Sequence, residues 1–132
     1  MKKILLIVAI LNISLFADFK SIEVKEFEKL KADGVPIIDI RTKQEWKDTG
    51  IIEGSHKITF FNEQGQALLT DWFFEVGHLI KDKKAPLIIY CAHATRTKSL
   101  GKGLVQMGFE NVYELKGGIE NGWIKLGKKV LK

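Results

Sequence analysis

The chain is poor in cysteine, proline and histidine: its 132 residues include one Cys, two Pro and three His. A single cysteine, Cys91, forms no internal disulfide, and His56, His78 and His93 stand at spacings that assemble no metal-ligand set with it. Long apolar runs are also missing. The longest, from Ile4 to Phe16 with Asn12 and Ser14 interrupting it, spans 13 residues where a bilayer-crossing helix takes roughly 20. No glycine-rich phosphate loop occurs, and Gly101 and Gly103 do not belong to a dinucleotide fingerprint. The formal charge of +5 falls to +3 once Lys2 and Lys3 are set aside, too little and too dispersed to indicate a nucleic-acid partner. The clusters Lys81, Lys83, Lys84 and Lys125, Lys128, Lys129, Lys132 read as solvated helix ends and a tail.

With 45% hydrophobic and 28% charged residues, eight Phe and three Trp, what remains is the composition of a folded protein of one domain. Residues 1–17 stand apart: Lys2 and Lys3 precede the apolar run, which is followed by the small Ala17. This is the layout of a secretory signal. The expected organisation is a signal peptide over 1–17, cleaved or kept as an anchor, and one domain over 18–132. Export, to the periplasm, would place the lone thiol in an oxidising compartment, where an unpaired cysteine is buried or used.

Periodicity divides the rest into alternating strands and helices. Strands are expected at Phe19–Ile22, Val35–Ile40, His56–Ile58, Leu87–Tyr90 and Val112–Leu115. Helices are expected over Val24–Leu30, from a Thr42 cap to Asp48, over Ala67–Ile80, from Leu100 to a stop at Gly108, and over Ile119–Leu126. Gly101 and Gly103, costly inside a helix, imply a close approach of that helix to the sheet. Such alternation gives an α/β fold of three layers, a central parallel sheet of about five strands with helices on both faces.

The chemistry gathers at Tyr90-Cys91-Ala92-His93-Ala94-Thr95-Arg96. A strand ending on Cys91, a short loop and a following helix aim backbone N–H groups and a helix dipole at one sulfur, conditions that favour a nucleophilic thiolate. Ligands of such sheets bind beyond the carboxyl ends of strands. Arg96 either curls its fork toward an oxyanion or braces the loop through an ion pair. His93 is an acid, a base or part of the rim.

These segments resemble the single-domain rhodaneses. Ile37-Ile38-Asp39-Ile40-Arg41 followed by Glu45-Trp46 resembles the family's early strand, and Gly50 to Ile58 its Gly-His-Ile-Pro-Gly-Ala segment. Tyr90-Cys91 with Arg96 resembles its active loop, and Gly108 to Gly118 with Trp123 its closing signature. Ala94 stands where the family usually has glycine, Ala92 where a polar residue is frequent, and Ile51 and Glu53 where His and Pro are usual.

The resemblance implies a sulfurtransferase without metal or cofactor, in which Cys91 takes a sulfane sulfur from a small anion such as thiosulfate, or from a persulfide. It then passes that sulfur to cyanide or to a thiol, which a protein partner can carry. Residues 92–96 would form the substrate loop, and Asp39 and Arg41 would support it. A persulfide carrier that binds a partner protein, or a related phosphatase or arsenate reductase, are the other activities on this fold. The six residues from Cys91 to Arg96 match the sulfur-handling loop, and the phosphate- and arsenate-handling loops have seven.

Overall fold

The computed structural model describes residues 19–132, so the reading of residues 1–17 lies outside the described residues. Five parallel strands form one sheet: β1 (Lys20–Ile22), β2 (Ile37–Asp39), β3 (His56–Lys57), β4 (Leu87–Tyr90) and β5 (Val112–Leu115), in the order β1-β5-β4-β2-β3. The helices are α1 (Val24–Ala32), α2 (Lys43–Thr49), α3 (Leu69–Val76), α4 (Thr95–Gln106) and α5 (Gly118–Gly122). The α/β architecture expected from the sequence is therefore the one observed.

Alternation along the central strands creates the three layers, because successive strand side chains point to opposite faces. Leu87, Ile89 and Cys91 join Ile38 and Ile40 under Trp72 and Val76 of α3 and Leu100 and Leu104 of α4. Ile88 and Tyr90 join Ile37 on the other face, against Phe27 of α1 and Ile119 of α5. Every residue of β2 and β4 is buried, which is why these strands read as continuous apolar runs. β4 lies between β5 and β2, in register Ile88↔Tyr113 and Ile37↔Ile88. Its carboxyl end thus opens at the middle of the sheet.

Four expectations need correction. The apolar period from Ala67 to Ile80 predicts one helix, but α3 is shorter. The Leu68 N–H is taken by the Phe60 carbonyl at 2.7 Å and Gly77 closes the far end, while Leu79 and Ile80 still pack on the core from a turn. The last helix is split at Trp123 (φ −135°, ψ −67°) into α5 and a 3-10 turn over Ile124–Leu126. There the indole packs on Phe27 and donates to the Lys129 carbonyl at 2.8 Å. Gly101 meets the ring of Phe19, 2.4 Å from an added Cβ, rather than the sheet, and Gly103 faces nothing within 4 Å. Thr95 and Arg96 belong to the first turn of α4 instead of the preceding loop.

Candidate functional site

Cys91 is the first residue past β4 and is fully buried. Its sulfur lies 3.7 Å from the Thr97 hydroxyl oxygen, at the start of α4. Between them the chain turns through Ala94 at φ 65°, ψ 16°, the one non-glycine residue with positive φ among the described residues. Glycine holds that conformation freely, whereas a Cβ makes it cost on the order of 1 kcal/mol. The turn sends the chain directly into α4, so the positive end of a twelve-residue helix closes over the sulfur. Among the described residues, no backbone or side-chain acceptor takes the N–H groups of Ala92, His93 or Ala94. Three neutral donors therefore remain at the loop.

The far side of the loop is set by the glycine pair after β5. Ile119 N–H donates to the Cys91 carbonyl at 2.9 Å and Glu120 N–H to the Ala92 carbonyl at 3.1 Å. A Cβ at Gly118 would stand 2.3 Å from the Ala92 oxygen, and Gly118 itself has φ +67°. Only glycine fits there, and the first turn of α5 spends its free N–H groups on the loop.

Arg96 does not point freely into solvent. Its Nη1 and Nη2 donate to Glu45 Oε2 and Oε1 at 2.8 and 2.5 Å, a bidentate pair. Glu45 also closes the capping box of α2, accepting from Thr42 N–H at 3.0 Å. Burial alone would raise this carboxyl, but the bonds from Arg96 and Thr42 outweigh it and hold Glu45 down at about 2. The bond to Glu45 in turn raises Arg96, against the opposing effect of its own burial.

Asp39 and Arg41 lie behind the loop. Arg41 Nε and Nη2 donate to Asp39 at 3.0 and 2.7 Å, and its remaining N–H groups reach Thr49 Oγ1 at 2.6 Å and the Gly50 carbonyl at 2.7 Å. Desolvation works to lower this guanidinium, yet the Asp39 carboxylate more than offsets it and the net direction is up. The pair fixes the end of α2, and α2 carries Glu45. On the other face, burial pushes the Tyr90 hydroxyl up, and it donates to Ser55 Oγ at 2.9 Å while accepting from Ile52 N–H at 3.1 Å.

The structure thus places Cys91 to Ala94 in a tight loop and Thr95 and Arg96 in the turn of α4 that follows it, with the Asp39–Arg41 pair behind. His93 sits at the rim in contact with Glu120, whereas His56 and His78 are exposed elsewhere. Sequence reasoning missed Thr97, Lys98 and Glu114. Glu114 is fully buried, accepts from the Thr97 hydroxyl, and pairs with Lys98 Nζ at 2.6 Å. The signal available was its strand parity: Glu114 alternates with Tyr113 and Leu115, so it shares a face with Val112 and, on the next strand, with Cys91. Glu45 was noticed only as part of a motif, not as the partner of Arg96.

Comparison with known proteins agrees with this geometry. The family model described as a rhodanese-like domain matches residues 23–125. A thiosulfate sulfurtransferase GlpE of Ectopseudomonas mendocina is 31% identical over 104 residues, covering 79% of this chain and 84% of its own. The protein of the same name from Pseudomonas aeruginosa is 29% identical over 102 residues, covering 77% and 82%. Among solved structures, a rhodanese-related protein from Thermoplasma volcanium superposes with TM-score 0.62 at 24% identity, over 86% of this chain and 98% of the other. The polysulfide-sulfur transferase homodimer of Wolinella succinogenes gives TM-score 0.63 at 23% identity, over 88% and 80%. These two likenesses speak to the fold.

Proposed function

The chain belongs to the rhodanese-like family and is a sulfurtransferase; from that premise we propose that it moves a sulfane sulfur from an anionic donor to a thiol or cyanide through a persulfide on Cys91. The observation that carries this reading is the position of Cys91 at the carboxyl end of the central strand, beneath the start of α4 and a turn whose N–H groups have no acceptor.

The Cys91 thiolate attacks the outer sulfur of the donor. The bond from that sulfur to the rest of the donor breaks, and the electron pair leaves with the donor remnant, which is sulfite when the donor is thiosulfate. A persulfide anion remains on Cys91. The N–H groups of residues 92–94 and the α4 terminus face this terminal sulfur and stabilise its charge. An acceptor then attacks the same sulfur and releases the Cys91 thiolate. Arg96, kept in one orientation by Glu45, offers its remaining N–H groups to the leaving group. Asp39 and Arg41 act at a distance, through α2.

Double displacement has a kinetic signature. With a sulfane donor and cyanide, reciprocal plots at several cyanide concentrations are expected to run parallel. Intersecting plots would contradict a persulfide intermediate. Export belongs to the same proposal and rests on the basic, apolar and small-residue order of residues 1–17. No helix among the described residues is long and apolar enough to cross a membrane.

A further inference from the structure

Each cation around Cys91 is already matched by a carboxylate. Arg96 is held by Glu45, Lys98 by Glu114, and Arg41 by Asp39, while His93 at the rim touches Glu120. With His93 neutral, these groups amount to three cations against four carboxylates. A protonated His93 only brings the balance to zero.

The surface beside Arg96 has the same character. A cleft of about 430 Å³ opens beside Arg96, lined by Phe61, Asn62, Glu63, Gly65, Thr95 and Ser99, so its one further charged residue is acidic. Ala92, next to the nucleophile, adds no polar side chain. What the site does offer is a set of neutral N–H donors at the loop and the guanidinium N–H groups that Glu45 leaves unused. Such donors suit a single charge on one sulfur. A dianion would need an uncompensated cation nearby.

We propose that the site selects a singly charged thiol persulfide, R–S–S⁻, with a small and overall uncharged R group, over dianionic thiosulfate. This rests on the sulfurtransferase reading and names its donor class. In the step, the Cys91 thiolate bonds to the outer sulfur, the inner S–S bond breaks, and R–S⁻ departs. Two negative charges enter and two leave. The R group lies in the cleft beside Arg96, whose volume is that of a small-ligand site.

The test compares freshly prepared cysteine persulfide with thiosulfate as loading donors for the intact protein, read by the mass of Cys91 against time and ionic strength. Cysteine persulfide is expected to load with a second-order rate at least about tenfold above that of thiosulfate. The thiosulfate rate is expected to hold or rise with added salt, because screening removes repulsion rather than attraction. Glu45→Gln, which releases the Arg96 charge, is expected to raise the thiosulfate-to-persulfide rate ratio about tenfold. Thiosulfate loading as fast as cysteine persulfide, with a rate that falls as salt is added, would overturn the inference and leave sulfur transfer standing. Uptake from neither donor would instead overturn the sulfur-transfer reading itself. The donor and salt comparisons use the unaltered chain, so they hold whether or not the variant folds.

Discussion

Ala94 occupies a backbone region that glycine enters without cost, and it is buried with its methyl group inside the loop after Cys91. Ala94→Gly is expected to stabilise the protein by about 0.5–1 kcal/mol, since relief of the left-handed strain exceeds the entropy gained by the unfolded chain. Urea unfolding should show a raised midpoint at unchanged slope. A lowered midpoint would mean that the methyl group contributes more through packing than its backbone costs. Gly118 is the opposite case. A Cβ there collides with the Ala92 carbonyl, so Gly118→Ala is expected to cost at least about 2 kcal/mol. It should also slow sulfur loading of Cys91, because the loop must move to admit the methyl group. Both positions were readable in the sequence as residues, Ala94 as a missing glycine and Gly118 as half of a glycine pair. Only the fold shows that Gly118 packs against the same loop that Ala94 bends.

At the scale of elements, α2 is a lever between the sheet and the start of α4, where Arg96 stands. The Asp39–Arg41 pair fixes its end, the Thr42–Glu45 box fixes its start, and Glu45 extends from that start to Arg96. Because the folded-state carboxyl of Glu45 lies at about 2, below its ordinary 4.5, its stabilisation is fully present above that ordinary value. It is lost as pH falls toward 2. Unfolding free energies of the wild type and Glu45→Gln should therefore differ at pH 5 to 7 and converge on acidification. A constant difference down to pH 2 would contradict the charge-assisted bond.

These long-range ties were the least legible part of the sequence. The apolar runs of β2 and β4 revealed themselves because buried strands are apolar on both faces, and Cys91 was visible because the run stops on it. Glu45 and Arg96 are 51 residues apart, and no local period links them. Helix ends were misjudged for a related reason. Leu79 and Ile80 keep the apolar period of α3 after the chain has left the helix, since packing on the core needs only apolar side chains.

For the molecule as a whole, the charge distribution separates surface from site. The chain is basic overall at +5, yet the paired groups around Cys91, with His93 neutral, are three cations against four carboxylates. General attraction of anions and selection at the loop are thus different properties, and the first does not predict the donor. The N-terminal reading also belongs to this scale. Cell fractionation of the full chain is expected to recover it outside the cytoplasm, either beginning at Asp18 or membrane-held with residues 1–17 intact. A full-length cytoplasmic product would contradict the export proposal.

The central claim is that Cys91 is the sulfur-carrying nucleophile, and intact-mass measurement of the purified protein after exposure to cysteine persulfide or thiosulfate tests it most directly. The account predicts the gain of one sulfur atom on the wild type, its removal by cyanide or a thiol, and no gain on Cys91→Ser. A wild-type chain that takes up no sulfur from either donor, or a Cys91→Ser chain that takes up as much, would contradict it.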